Sequence, residues 1–156
     1  MPLKYCVCMR FLAVSVVVCM LTYSGLAQTA RELEAKFGHP NSNGYTVAPD
    51  VRLTVTYGDD NRACSLSLQS TNAKSGPVHQ QPNFDADIAD RVLNEIAPPA
   101  TRKGTPRKMA EQMGCALAVQ EEYDNVSVAR VTAECLPLTR KNVQSLTITW
   151  KRPACK

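Results

Sequence analysis

VRLTVTYGDDNRACSLSLQ, residues 51–69, contains two runs of alternating apolar and polar residues on either side of a cluster of turn-forming residues. This pattern predicts a β-hairpin with one apolar and one polar face. The apolar face would hold Val51, Leu53, Val55, Tyr57, Cys64, Leu66 and Leu68, and the polar face Arg52, Thr54, Thr56, Ser65, Ser67 and Gln69. Because an apolar sheet face is stable only when another element covers it, the rest of the chain has to supply a cover.

Residues 84–97 are the best candidate for this cover, because their apolar side chains recur at helical spacing. Asn83 is expected to cap the helix, and Asp85 and Asp87 would lie near its positive end. The apolar side consists of Phe84, Ile88, Ala89, Val92, Leu93 and Ile96. We therefore expect this helix to pack across the hairpin and to end at Pro98.

Residues 1–27 have the three regions of a secretory signal peptide. Lys4 and Arg10 are followed by a short apolar run, and small residues lead up to Ala27. The apolar run is shorter than the ~20 residues that a membrane-spanning helix needs. We therefore expect cleavage after Ala27 and export of residues 28–156, either to the periplasm or out of the cell. A membrane contact is expected only if the leader is not cleaved.

The exported part would be nearly neutral. The whole chain has 18 Lys and Arg against 14 Asp and Glu, a formal net charge of +4, and two of these cations and no acid belong to the leader. So small an excess of positive charge argues against a nucleic-acid partner. The remaining length suits a single domain with a modest core.

Four of the seven cysteines lie outside the leader, namely Cys64, Cys115, Cys135 and Cys155. An even number of cysteines in an exported domain predicts two disulfides. Cys115 and Cys135 are equally far from Asn125, the centre of a predicted turn, so an antiparallel pair of strands would place them opposite each other. We therefore expect the pairs Cys115–Cys135 and, by elimination, Cys64–Cys155.

The N-terminal end of the exported part predicts a short helix. Thr29 and Glu32 have the spacing of a capping box, and Gly38 is placed to end the helix after Phe37. So short a helix is stable only when it docks on the rest of the protein.

The remaining alternating runs predict further strands. Residues 45–47 would form a short first strand, and residues 116–122 and 126–134 would pair around a turn at residues 123–125. Leu146, Ile148 and Trp150 mark a final strand. Asn125-Val126-Ser127 at the predicted turn is a glycosylation acceptor in a eukaryotic secretory pathway.

Residues 101–108, TRKGTPRK, contain four cations in eight positions. An exposed basic loop of this kind could meet an acidic partner, an anionic membrane surface or a protease, and the plainer interpretation is a solvated linker. Residues 106–113, with Pro106 first and Gly114 after the last, predict a short helix with Met109 and Met113 as its buried contacts.

The sequence predicts no metal site and no cofactor. Residues 58–61, GDDN, bring two carboxylates into the hairpin connection, but the distal acid of a calcium loop is missing, so we interpret them as a turn. The acids of residues 84–97 are interpreted as a capped, solvated helix face. Nucleotide-binding, zinc and serine-hydrolase motifs are absent from the sequence.

Catalytic side chains are not indicated either. His39 and His79 both lie in predicted loops with no local partner. Glu121 and Glu122 are adjacent on a predicted strand, where successive side chains point to opposite faces, so they cannot share a substrate or a proton. Any catalytic site would have to be assembled from distant positions.

These patterns together predict an α+β domain over residues 28–156. We expect an antiparallel sheet of about five or six strands, one main helix on one face and two disulfides.

For function, the leading hypothesis is a small exported binding protein whose partner is an unknown protein or small ligand; it requires an exposed apolar patch or a cleft. One alternative is a small secreted hydrolase with His39 or His79 as base, which requires a histidine beside an acid or hydroxyl in a pocket. Another is a protease inhibitor that presents residues 101–108, which requires a rigidly held loop. The sequence does not indicate an oligomeric state.

Overall fold

The computed structural model describes residues 27–41, 44–72, 82–134 and 142–155. Within these ranges the chain forms one seven-stranded antiparallel sheet and two α-helices, which confirms the α+β class. The helices are α1 (Ala30–Phe37) and α2 (Ala86–Ile96). The strands are β1 (Tyr45–Ala48), β2 (Val51–Tyr57), β3 (Ala63–Ser70), β4 (Arg107–Met113), β5 (Ala116–Glu122), β6 (Val126–Ala133) and β7 (Val143–Trp150).

The predicted hairpin is present as β2 and β3, which pair from Val51 with Ser70 to Tyr57 with Ala63. Its connection is held by turn chemistry, because Asp60 Oδ1 accepts a hydrogen bond of 3.2 Å from Arg62 N and Asn61 has a positive φ of 56°. The apolar face is buried as expected, except at its far end, where Val55 is half-buried and Tyr57 is exposed.

The C-terminal strand β7 lies in the middle of the sheet and joins its two halves. The strand order is β1-β2-β3-β7-β6-β5-β4, so β7 pairs with β3 on one side and β6 on the other. Leu66, Ile148 and Val128 lie opposite one another across these three strands, and each is at least 95% buried. The core is therefore a layer of apolar side chains between the centre of the sheet and α2.

Helix α2 covers this layer with Ala89, Val92, Leu93 and Ile96, which are all buried. It begins later than predicted, and its cap is Asp85, whose side chain accepts a hydrogen bond of 3.0 Å from Asp87 N. Asn83 does not cap the helix, because Phe84 exchanges two main-chain hydrogen bonds with Val143 and is held extended. Helical geometry can begin only after that bridge.

The expected five or six strands were too few, because residues 107–113, within the segment predicted as a short helix, form strand β4. All seven residues of β4 are exposed, and Met109 and Met113, which were expected to be buried, expose 41% and 50% of their surface. A helix here would have no core to dock on, and a helix of this length is unstable alone. Pairing along the whole of β5 satisfies the main chain instead.

Gly114 supports this hairpin and does not end a helix. It has a φ of +58°, Cys115 does not have a positive φ, and the two residues connect Met113 to Ala116. A two-residue hairpin loop with a positive φ at its first position is a type II′ turn, which favours glycine at that position. The same glycine therefore fits either interpretation in the sequence, and tertiary structure decides between them.

One disulfide pair, Cys64–Cys155, is seen in the described residues, where two were expected. It joins β3 to a 3₁₀ turn at Pro153–Cys155 and so fixes the C-terminus to the central hairpin, as predicted. Gly58 makes this approach possible, because a Cβ atom there would lie 2.4 Å from Ala154 O.

The strand register expected for the Cys115–Cys135 pair differs by one residue from the register in the structure. Strand β6 pairs with β5 so that Ala116 lies opposite Ala133, and Glu134 N donates a hydrogen bond of 2.7 Å to Cys115 O. Cys115 therefore lies opposite Glu134 in the ladder. Cys115 is not a free thiol, and its predicted partner Cys135 lies outside the described residues.

Helix α1 begins at the predicted capping box. Thr29 N donates to Glu32 Oε2 at 2.7 Å, and Glu32 N donates to Thr29 Oγ1 at 3.3 Å. Of the predicted leader only Ala27 is described; it is buried, and its carbonyl accepts a hydrogen bond of 3.2 Å from Arg62. No helix within the described ranges is long and apolar enough to cross a membrane.

The sheet face opposite α2 changes character from one edge to the other. On β2, β3 and β7 it presents Thr54, Thr56, Ser65, Ser67, Thr147 and Thr149. On β4, β5 and β6 the same face presents Met109, Met113, Ala118, Ala129 and Val131, interspersed with Arg107, Glu111, Gln120, Glu122 and Ser127. A hydroxyl-rich surface thus passes into a surface of mixed apolar and charged side chains at the β4 edge.

Candidate binding site

A hydrolase would need a histidine beside an acid in a pocket, and His39 does not lie in one within the described residues. His39 Nδ1 lies 2.6 Å from Glu34 Oε1, but 86% of the His39 side chain is exposed. A general base has to act where the substrate is held and water is limited, and this pair stands in open solvent. His79 lies outside the described residues.

Glu121 and Glu122 have separate partners, as expected for successive residues of a strand. Lys108 Nζ lies 2.7 Å from Glu121 Oε1, and the Tyr123 hydroxyl donates to Glu121 Oε2 at 3.0 Å. The hydrogen bond from Lys108 is the largest of the effects that lower the pKa of Glu121. This carboxylate is therefore held in its ionised form by a cation.

The Glu122 carboxylate is ionised for a similar reason on the opposite face. It forms an ion pair with Lys151 and accepts hydrogen bonds from Gln120 and from Ser127 Oγ, the latter at 2.7 Å. Lys151, followed by Ser127 and Gln120, lowers the pKa of Glu122 to about 2. Two carboxylates with different cations on different faces do not form a general acid–base pair.

The basic loop at residues 101–108 is held against the β5–β6 turn. Lys103 N donates to Asn125 Oδ1 at 2.7 Å, and Asp124 N donates to Lys103 O at 2.9 Å. Asn125 Nδ2 also donates to Thr101 O at 2.9 Å. The loop therefore has a fixed main chain at Lys103.

This anchoring limits what the loop and the turn can do. A protease binds the carbonyl of the scissile residue in its oxyanion hole, whereas Lys103 already uses both of its main-chain groups within the protein. Both polar atoms of Asn125 are engaged as well, so a sugar on Nδ2 would lie at the contact with Thr101.

A small cleft of about 200 Å³ lies between α1, β1 and α2. Its two cations are already engaged, because Lys36 Nζ donates to Glu95 O at 2.7 Å and Arg91 donates to Val47 O at 3.1 Å. These contacts tie the helices and β1 together. The cleft is therefore part of the junction between α1, α2 and β1, and it is smaller than the hollow described next.

A larger open hollow of about 510 Å³ lies where α1 meets the outer edge of β2. Its walls are mostly apolar and include two tyrosines that the structure brings together. We call it the tyrosine hollow, and its lining is Ala30, Pro40, Gly44, Tyr45, Thr54, Val55 and Tyr57. Its volume is within the range of small-molecule sites, roughly 300–1,000 Å³.

The tyrosine hollow exists because β1 is shorter than β2. Strand β1 begins at Tyr45, which lies opposite Leu53, so in the described residues no strand continues the pairing along Thr54 and Val55. Gly44 fits against this edge, since a Cβ atom there would lie 2.3 Å from Leu53 O. The end of β2 is consequently open to a ligand on that side.

Two tyrosine hydroxyls meet at this site. The Tyr45 hydroxyl donates to Ala30 O at 3.3 Å and lies 3.1 Å from the Tyr57 hydroxyl. Tyr45 is 97% buried, and its ring packs at 6.4 Å against Phe37, whereas Tyr57 is 36% exposed. Burial, followed by the hydrogen bond with Tyr45, raises the pKa of Tyr57 above its ordinary value.

Proton counting assigns the roles in this pair. A phenol has one proton to donate, and Tyr45 uses its proton on Ala30 O. When Tyr45 donates to Ala30 O, the Tyr57 hydroxyl is the donor across the 3.1 Å contact with the Tyr45 oxygen. The Tyr57 oxygen keeps acceptor capacity for a group that enters the hollow.

No group of three or more His, Cys, Asp and Glu side chains in the described ranges is arranged to hold a metal ion. The carboxylate that the sequence placed in the hairpin turn, Asp60, instead binds Arg152 at 2.7 Å.

Comparisons with protein-family models, with curated proteins and with solved structures found no match to this chain.

Proposed function

We propose that this chain is a small exported binding protein and that its ligand occupies the tyrosine hollow. The observation that carries the proposal is the meeting of an apolar concave surface with the Tyr45–Tyr57 hydroxyl pair at an open strand edge. Ligand sites in proteins are mostly apolar with a few placed polar groups, which is the composition of this hollow. The Cys64–Cys155 disulfide supports an oxidising compartment, either secreted or periplasmic.

The geometry also limits the chemistry of the ligand. Apolar walls favour an aromatic or aliphatic body, and the free acceptor capacity of Tyr57 favours a ligand with an N–H or O–H donor. Among the described residues that line the hollow, an anion finds no cation. We therefore expect a neutral or weakly polar small molecule with at least one hydrogen-bond donor.

The fixed and exposed members of the tyrosine pair would have different roles in binding. Tyr45 is held by Ala30 O and by Phe37 and serves as a preformed wall. Tyr57 stands at the opening, so its ring would cover the ligand and its oxygen would accept the hydrogen bond. A preformed wall reduces the entropy that binding has to offset.

A direct test uses the neutral dye N-phenyl-1-naphthylamine as probe, because it combines aromatic rings with one N–H donor and carries no charge. We expect enhanced dye fluorescence with the folded protein and an affinity about tenfold lower for Tyr57→Ala. Tyr123→Ala is the matched control, because it removes a tyrosine side chain of the β5–β6 turn that does not line the hollow. Equal affinities for both variants, or no binding by the folded protein, would contradict the proposal.

A screen of neutral fragments then identifies the ligand class. Nuclear magnetic resonance spectra of the labelled protein should show shifts at Thr54, Val55 and Tyr57 for fragments that carry an N–H or O–H donor. Matched fragments with that donor methylated should bind more weakly. The hydrolase alternative has no comparable support, since the His39 side chain is solvent-exposed. The inhibitor alternative has the held loop that it requires, but both main-chain groups of Lys103 are already used within the protein.

A further inference from the structure

Strand β4 leaves one edge of the sheet open. It is the last strand in the sheet order, its only ladder partner is β5 in the described residues, and all seven of its residues are exposed. An exposed edge strand carries unpaired main-chain donors and acceptors that can pair with another chain. This edge is therefore a physical candidate for an interface.

The hairpin turn determines which main-chain groups point outward. In a two-residue hairpin, Met113 and Ala116 flank the turn and exchange hydrogen bonds, and the bonding then alternates along the strand. The amides of Lys108, Ala110 and Gln112 consequently point away from β5. Pro106 has the same parity and no N–H, so it limits the edge at that end.

The side chains of β4 are complementary to a second copy of themselves. When two β4 strands pair antiparallel with Met109 opposite Met109, Arg107 of each copy lies opposite Glu111 of the other. These pairs fall between the hydrogen-bonded positions, where side chains approach most closely. Each interface would then contain one apolar contact flanked by two opposite-charge pairs.

Lys108 does not oppose this arrangement. It lies on the other sheet face, 2.7 Å from Glu121 in its own chain, so its charge is already paired. In the proposed register it would face Ala110 of the second copy. The exposed Met113 and the partly buried Val131 continue the apolar surface beside the new contact.

We propose that the β4 edge is a homodimer interface in which two copies pair antiparallel about Met109 and extend the sheet across a twofold axis. The interface is isologous, because the same strand serves both copies. Its main-chain hydrogen bonds come from Lys108 and Ala110, and the Arg107–Glu111 pairs fix the register. Another protein that offers an extended segment is the competing occupant of this edge.

Sedimentation velocity of the purified protein tests this proposal. We expect a dimer at sub-millimolar concentration that dissociates on dilution to low micromolar concentration. Glu111→Arg should weaken the dimer by at least about tenfold, because it places like charges opposite each other. Glu34→Arg is the matched control, since Glu34 is an exposed glutamate on α1, far from β4 in the chain.

Mixing two variants separates this register from a general loss of solubility or folding. Arg107→Glu and Glu111→Arg should each be largely monomeric, whereas an equimolar mixture should form a heterodimer in which both charge pairs are restored. Hydrogen exchange should protect the amides of Lys108 and Ala110 only in the dimer. A protein that is monomeric at every concentration, a dimer insensitive to Glu111→Arg, or a mixture that stays monomeric would overturn the proposal.

Discussion

Cys64 and Cys155 are bonded across a sequence separation of 91 residues, so one covalent link closes a loop that contains most of the described chain. Closing so long a loop lowers the entropy of the unfolded chain, by about 4 kcal/mol in the chain-entropy model. We predict that Cys64→Ala combined with Cys155→Ala lowers the free energy of unfolding by about that amount. Chemical denaturation measures the loss, and a loss below about 1 kcal/mol would contradict the entropic account.

We predict that position 58 needs a glycine, because the C-terminal turn approaches it closely. A Cβ atom at this position would lie 2.4 Å from Ala154 O and 2.9 Å from Cys64 Sγ. Gly58→Ala should therefore cost about 1–3 kcal/mol, because the C-terminal turn has to move.

The control for Gly58→Ala is the same substitution in the variant that lacks Cys64 and Cys155. The C-terminal turn is free to move there, so the cost should fall well below that in the parent protein. An equal cost in both backgrounds would mean that the contact with Ala154 is not its cause.

The helix cap predicts different effects for two neighbouring polar residues. Asp85 accepts a hydrogen bond from Asp87 N at the start of α2, so Asp85→Ala should lower the free energy of unfolding by about 1 kcal/mol. Asn83, which the sequence favoured as the cap, has a buried Oδ1 atom without a hydrogen-bond partner in the described residues. Asn83→Ala should cost nothing measurable, and a larger loss for Asn83→Ala than for Asp85→Ala would contradict this assignment.

Local sequence patterns predicted correctly those elements whose capping or turn residues and apolar spacing match the surfaces that they bury. The β2–β3 hairpin, the capping box at Thr29 and the apolar stripe of α2 follow from short-range rules, and the structure contains each of them. Strand β4 was mistaken for a helix because Pro106 and Gly114 fit the ends of a helix as well as those of a strand. The strand and helix interpretations of this segment differ in whether its side chains are exposed or buried, and exposure is a tertiary property.

Sequence patterns could not predict the candidate site either, because it depends on contacts between residues that are distant in the sequence. Tyr45 and Tyr57 lie on different strands, and their hydroxyls meet beside the position where β1 begins, which a local pattern does not determine. The one available signal was Tyr57 itself, an amphipathic residue at the end of an otherwise aliphatic face. The Cys115 register shows the same limit, since one residue of turn geometry was enough to change which residue lies opposite it.

The Glu122–Lys151 pair predicts how stability depends on pH. Lys151, Ser127 and Gln120 lower the pKa of Glu122 from 4.5 to about 2. A depressed pKa in the folded state means that the unfolded chain takes up the proton first, so the contribution is complete above pH 4.5 and is lost as the pH falls towards 2. Because the pair is partly exposed, its contribution should be less than about 1 kcal/mol.

Glu122→Gln measures this contribution against the parent protein. At neutral pH the variant should be less stable, and the difference should shrink between pH 4.5 and 2, where the parent carboxylate gains its proton. Glu95→Gln is the control, an exposed glutamate on α2 whose carboxylate has no ion pair in the described residues. If the Glu122→Gln difference in unfolding free energy stays constant over this interval, Lys151 does not stabilise the folded protein through the charge of Glu122.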